Sequence, residues 1–319
     1  MRVSNSKLDT FQRCRKKYEF KYPMGLRIKR PAIQLKRGGW IHDLLMVHYD
    51  GHDWKERHKE LTADFMKLFE EEREEYGNLP AECARIMISY LMKYQKRDKG
   101  LITLDSEIDE MVELPNGDKF QFIIDLLVED PLDHGIWLWD HKTAKRFMPP
   151  GFMLLNAQLT RYVWGAHKLG IGPIRGVMFN ELITKPPTVP AVLKSGRLTQ
   201  KQNMHCDVYT YYRAIRKLGH DPAYYASTLR RLKSQDDRFF RRTRMPRDRP
   251  VTTQMMKELL WTTESMKRSE RQERFPRSIR KDCDWDCEFL DLCTTQLMGG
   301  DIEDIINLKY IREEKESDG

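Results

Sequence analysis

Residues 119–146, KFQFIIDLLVEDPLDHGIWLWDHKTAKR, leave few ways for the chain to fold. Apolar side chains run alternately or continuously through 120–128 and 136–139, the pattern of strands buried on one or both faces. Between them, Pro131-Leu-Asp-His-Gly135 carries turn chemistry. The stretch therefore predicts two adjacent antiparallel strands, which place the end of one beside the start of the next. Asp125 and Asp140 then converge, and Lys142, two residues on, shares the face of Asp140. Two carboxylates beside an ammonium make a hard, oxygen-lined site for Mg²⁺, or for Mn²⁺ as well where an imidazole joins the ligands, with a positive group for developing negative charge. Metal-assisted phosphodiester chemistry requires this equipment.

With 319 residues the chain can bury a substantial core as a single domain. No apolar run approaches a membrane span, and the first residues are basic rather than apolar, so a soluble cytoplasmic protein is expected, with no membrane partner. The net charge of +8 is unevenly placed. Residues 1–40 hold 12 Lys/Arg against 2 Asp/Glu, and residues 230–249 hold 9 against 3, leaving the remainder net acidic. Positive charge gathered in two segments suits a phosphate-binding surface, although it also describes a solvated basic face. A GxxxxGK[ST] signature is absent, so unwinding of duplex would need a helicase or recombination partner.

Patterning predicts helices over 7–18 (capped from Ser4-Asn-Ser6), 39–49, 54–76, 80–97, 151–169, 207–218, 222–233, 252–268 and 301–314. Strands are expected at 106–114 and 174–183 beside the pair already described, with Asn116-Gly117 turning the first into the Asp125 strand. Helices, then a hairpin-rich sheet, then helices indicate an α/β fold with a mixed central β-sheet flanked by helices.

Glu107, one strand before Asp125, and His42, after Gly38-Gly39, are candidates for the same cleft, as is the backbone carbonyl of His141. On spacing alone His42 also reads as a helix-surface histidine. Gln158 and Tyr162 lie four apart on one helical face, suited to a sugar-phosphate backbone or to an amphipathic helix with a buried phenol. Cys283, Cys287 and Cys293 cluster in CDWDCEFLDLC, and Cys14 among Arg13, Arg15 and Lys16 is a candidate fourth ligand for an iron–sulfur or zinc centre. Cys83 and Cys206 read as isolated thiols. In RRLKSQDDRFFRRTRMPRDR, Arg230, Arg231, Phe239, Phe240, Arg241 and Arg242 suit phosphate contact with base stacking; alternatively the phenylalanines anchor the loop to the core.

Taken in order, SNSKLDTFQRCRKKY, RGGWIHDLL, IIDLLVED, WDHKTAK, QLTRY and CDWDCEFLDLC resemble the PD-(D/E)XK nuclease superfamily, and within it the iron–sulfur RecB/AddB-like and CRISPR-associated exonuclease branch. The resemblance implies a restriction-endonuclease-like core in a single nuclease domain over 1–319. It divides into a helical insertion (43–100), a catalytic sheet core (101–184), a basic insertion (185–250) and a cysteine segment (270–295). It implies that His42, Asp125, Asp140 and the carbonyl of His141 hold the divalent metal, that Lys142 is the catalytic lysine, and that Glu107 is the acid some members place before the first Asp strand. Gln158 and Tyr162 match the QxxxY motif that meets DNA. Cys14, Cys283, Cys287 and Cys293 match the ligands of a [4Fe–4S] cluster stapling the two chain ends, although the first C-terminal pair is spaced C-x3-C rather than the common C-x2-C. The activity implied is exonucleolytic cleavage of single-stranded DNA or DNA ends, in recombination, repair or phage metabolism, with a homo-oligomer compatible. A non-catalytic DNA-binding scaffold subunit is the alternative.

Overall fold

In this computed structural model, which describes residues 1–131 and 133–313, the chain opens with β1 (Arg2–Ser4), α1 (Asn5–Arg13) and α2 (Arg15–Lys21). The helix expected over 7–18 is two helices, because Cys14 takes an extended conformation (φ −161°, ψ 117°) between them. Ser4 caps α1 by accepting from Lys7 N. After β2 (Leu26–Ile28) come α3 (Ile33–Tyr49), α4 (Trp54–Met66), α5 (Glu70–Tyr76) and α6 (Leu79–Tyr94). α3 starts well before the expected residue 39. The expected 54–76 helix breaks at 67–69, and α5 restarts on Glu70, Glu71 and Glu72, charges favoured at a helix N-terminus.

The sheet strands β3 (Ile102–Glu113), β4 (Lys119–Asp130) and β5 (Gly135–Ala144) follow. Gly117 takes the positive φ (80°) that the β3–β4 turn requires. Next are α7 (Pro150–Leu154) and α8 (Ala157–Lys168), separated where Asn156 leaves the helix and accepts from Leu159 N. β6 (Ile174–Ile183), α9 (Val208–Lys217), α10 (Ala226–Lys233), β7 (Phe240–Pro246) and α11 (Arg249–Arg271) complete the main body. Asp207 caps α9, and Asp221 and Pro222 open a 3-10 turn ahead of α10. The chain continues through α12 (Cys283–Asp286), α13 (Leu290–Leu297), α14 (Glu303–Lys309) and β8 (Tyr310–Arg312). The helix expected over 301–314 is shorter because Tyr310–Arg312 pairs with β2; residue 314 lies outside the described residues.

Six strands form one mixed sheet, ordered β1-β4-β5-β6-β7 with β3 on the other edge of β4. β1 runs parallel to the start of β4, β5 parallel to β6, and the other pairs are antiparallel. β7 is therefore a sheet strand, so the basic insertion expected over 185–250 ends before residue 240. α1, α8 and α11 bury Leu8, Phe11, Leu159, Val163 and Leu259 against Phe120, Phe122, Leu138 and Phe179 on one face. α8 approaches so closely that a Cβ on Gly165 would lie 2.5 Å from Phe122 Cε1. A second cluster packs α3 to α6 on Leu182, Phe239 and Phe240, while Leu126, Val128, Trp137, Trp139 and Met178 cover the adjoining sheet. This is the helix–sheet–helix architecture expected of an α/β fold. Among the described residues, no helix is long and apolar enough to cross a membrane.

Candidate active site

The β4–β5 ladder runs from Asp130↔Gly135 to Leu126↔Trp139, and its next rung would join Asp125 to Asp140. There the ladder opens. The backbone N–H of His141 donates instead to Asp125 Oδ2 at 2.6 Å, a side chain standing in for the main-chain acceptor. The alternation on β4 slips at the same point: Ile124 and Leu127 both belong to one core cluster, whereas Leu126 and Val128 face the opposite layer. Across the sheet Glu107 holds a φ of 46°, a strained conformation for a residue with a Cβ. Irregularities of this kind re-aim side chains and gather beside functional sites.

The fork brings four elements together, α3, β3, β4 and β5. α3 carries His42, whose Nδ1 lies 3.6 Å from Asp125 Oδ2. Donor atoms of His42, Glu107 and Asp125 all lie within 4.8 Å of one another. On β5, Lys142 Nζ lies 2.8 Å from Asp140 Oδ1, and the Asp140 side chain is only 4% exposed. Its other oxygen, Oδ2, is buried without a hydrogen-bond partner among the described residues. A buried acceptor left unmade costs free energy unless a cation or donor satisfies it.

Burial first, and then the neighbouring charges, account for the titration of the group. Burial and the neighbouring Asp140 carboxylate push Asp125 up to about 6, against the opposing pull of His42, Lys142 and the His141 N–H. Burial alone would lower the Lys142 ammonium, but Asp140 and Asp125 outweigh it and hold it above its ordinary value. Burial raises Glu107, partly offset by His42. A carboxylate group short of positive charge, with an imidazole nitrogen among its donors, has the chemistry of a divalent-cation site.

A family model of the PD-(D/E)XK nuclease superfamily matches residues 2–294. The chain belongs to the PD-(D/E)XK nuclease superfamily. Membership implies a metal-dependent nuclease that hydrolyses phosphodiester bonds and takes DNA as substrate. No curated protein matches the chain.

Within the PD-(D/E)XK nuclease fold, the His141 ring meets the His42 ring edge-on, with centroids 5.8 Å apart. It is buried and stacks on Tyr49, and burial holds its imidazole neutral. Asn180 Nδ2 lies 2.8 Å from its Nδ1, and the same amide donates to Tyr90 Oη. Arg242 closes this network: it donates to Tyr49 Oη, Tyr90 Oη and both oxygens of Asp98, with its side chain 3% exposed. Gln158 Nε2 donates to Tyr162 Oη at 3.0 Å on α8, and burial raises the Tyr162 phenol.

The basic candidates separate from one another. Phe239 and Phe240 are each 1% exposed in the core. Bases therefore cannot stack on them, and of the two readings open from sequence they follow the anchoring one. Arg242 is likewise enclosed, and Arg241 is bound to Glu181 at 2.7 Å. Arg231 donates to the carbonyls of Lys201 and Gln202, whereas Arg230 is exposed. The contact set expected for DNA over 230–242 thus contracts at its C-terminal end, because those residues lead into β7, the edge strand paired with β6.

Cys14, Cys283, Cys287 and Cys293 line one cavity of about 50 Å³, together with Arg13, Lys16, Lys17 and Arg280. The N–H of Ser278 donates to Cys14 Sγ at 3.5 Å, and that of Arg280 to Cys283 Sγ at 3.4 Å. Cys83 and Cys206 are buried elsewhere, in the α3–α6 cluster and under α9. Sequence reasoning missed Asn180 and Glu181, which position the fork and its flanking loop. The available signal was a polar pair in the middle of the otherwise apolar strand GVMFNELI.

Proposed function

We propose that this nuclease is a DNA exonuclease that passes single strands or duplex ends through one Mg²⁺- or Mn²⁺-dependent site, in recombination, repair or phage DNA metabolism. The observation that carries the reading is the fork itself. His42, Glu107 and Asp125 present converging donors, and beside them stands a buried Asp140 with a spare oxygen and Lys142 in contact. His42, Asp125, Asp140 and the carbonyl of His141 would hold the metal, with Glu107 completing or exchanging within the set. When bound, the ion supplies Lewis-acid polarisation of the phosphate and activation of water. Lys142, held as a cation by its two carboxylates, acts as a fixed positive charge toward the phosphoryl oxygens rather than as a proton acceptor. Tyr162, whose oxygen already accepts from Gln158, keeps its hydroxyl hydrogen for the DNA backbone. The Asn180–Tyr90–Arg242 network holds His141 and, through its backbone, Asp125.

The four converging thiols support a [4Fe–4S] cluster. The backbone N–H groups aimed at two sulfurs and the surrounding arginine and lysine side chains suit a thiolate-bound, negatively charged centre. Anaerobically purified protein should be brown, and a Cys14→Ala variant colourless; a colourless parent containing zinc would replace the cluster with a zinc staple. Activity is tested with end-labelled single-stranded, double-stranded and circular DNA, each with Mg²⁺, Mn²⁺ or a chelator. Linear DNA should be degraded from its ends, and Lys142→Ala should abolish cleavage while leaving the fold and DNA binding in place. Cleavage of circles as fast as of linear DNA would refute the exonuclease assignment. Absence of cleavage with DNA binding retained would favour the scaffold-subunit alternative, and cleavage that survives the chelator would refute the metal-dependent site.

A further inference from the structure

We propose that the segment between β5 and α8 is a platform on which the bases of a single DNA strand stack as it enters the site; this deepens the nuclease reading and rests on it. After Lys142 the chain passes through Lys145 and Arg146, both exposed, and neither has an ion-pair partner among the described residues. It is then pinned twice. Met148 N donates to Glu181 Oε1 at 2.6 Å, and Arg241, itself bound to Glu181, donates to Met148 O at 2.6 Å. Glu181 is the β6 register partner of Lys142, so this clamp stands one strand from the lysine. Further on, the buried Arg247 donates to Met153 O at 2.7 Å, with the Met153 side chain fully buried.

Between and just beyond the pins, Phe152, Leu154 and Leu155 remain 67%, 59% and 71% exposed. Large apolar side chains held outward by a fixed backbone, beside a functional site, mark a binding surface. Charge selects the occupant. From residue 141 to residue 180 the chain contains six Lys/Arg and no Asp or Glu, in a sequence with 48 acids overall. Arg161 is buried and Arg175 stands at the other end of β6, so the groups a polyanion meets beside the pinned segment are Lys142, Lys145 and Arg146, without a carboxylate from 141–180. A basic track followed by an exposed aromatic ring is how sequence-tolerant single-strand binders work: phosphates meet cations, here Lys145 and Arg146, while unpaired bases stack on a ring, here Phe152 flanked by Leu154 and Leu155. Duplex DNA, with its bases stacked internally, cannot use such a surface.

The test compares the parent with the double variant Phe152→Ala/Leu155→Ala, using fluorescent oligonucleotides in Ca²⁺ buffer and cleavage assays in Mn²⁺. Both side chains are exposed, so the unfolding midpoint should not change. Affinity for single-stranded DNA should fall about tenfold, as for loss of one base stack. Affinity for duplex and for an abasic oligonucleotide should stay the same, as should hydrolysis of bis(p-nitrophenyl) phosphate. Equal loss on normal and abasic strands, or no loss at all, would overturn the platform. So would a change in sedimentation showing that the variant has broken a contact between two copies of the chain. If the parent cleaves neither DNA nor the small diester while the base-dependent binding difference persists, the catalytic reading fails and the platform stands.

Discussion

Asp125 is caught between two demands. In the metal-free protein it lies in a poorly hydrated fork beside Asp140, which is why its pKa rises to about 6. A raised carboxyl pKa means that the folded state prefers the proton, so this group costs stability as pH climbs from about 4 to about 6 and the cost is fully present at neutral pH. Asp125→Asn should therefore stabilise the metal-free protein at pH 7 by about 1–3 kcal/mol while abolishing metal-dependent cleavage. Urea unfolding of both proteins at pH 4.5 and pH 7 checks this, and the gain should shrink at the lower pH. By the same linkage, Mn²⁺ should raise the thermal midpoint at pH 7. Its apparent affinity should fall by about tenfold per pH unit below about 6, where Asp125 must shed a proton to bind. Calorimetric titration across pH 5–7 reads that slope. Asp125, Asp140 and Lys142 were legible from sequence because strand alternation and a turn between strands set their spacing. The slip in β4 at Asp125 was not, since the run FIIDLLV is apolar on both sides of the aspartate and shows no phase.

At the scale of elements, β7 is the instructive case. A phenylalanine pair among arginines reads equally as a nucleic-acid grip or as an anchored strand start, and only pairing with β6 decides between them. Phe240→Ala should cost about 3–5 kcal/mol of stability, as for other buried aromatic truncations, and any loss of DNA binding should track unfolding. Arg242 should behave as half of a buried ion pair. Arg242→Met leaves Asp98 enclosed without its guanidinium, a loss of about 3–5 kcal/mol, and adding Asp98→Asn should recover part of it in a double-mutant cycle. Helix breaks were also hidden. Cys14 and Asn156 carry no proline or glycine to announce them, and each break serves a side-chain contact that is remote or local: Cys14 turns toward Ser278, and Asn156 caps α8.

For the whole molecule, the layered α/β architecture followed from the order of apolar patterns, and the placement of the four cysteines followed from motif order rather than from any local rule. Their convergence joins residue 14 to residues 283–293 across the body of the chain. Binding of single-stranded DNA should weaken steeply with salt, by about 0.7 released counterions for each phosphate neutralised; a flat response between low and physiological salt would remove the basic surface from the account. The Cys14 contact has a further consequence for how the protein is made. The first helices emerge from the ribosome long before the segment that Cys14 touches, so they must wait, half-packed, until a partner 264 residues further on has been synthesised. Truncation before Ser278 would therefore be felt around Cys14, as a segment exposed to proteases while the intervening sheet is already folded.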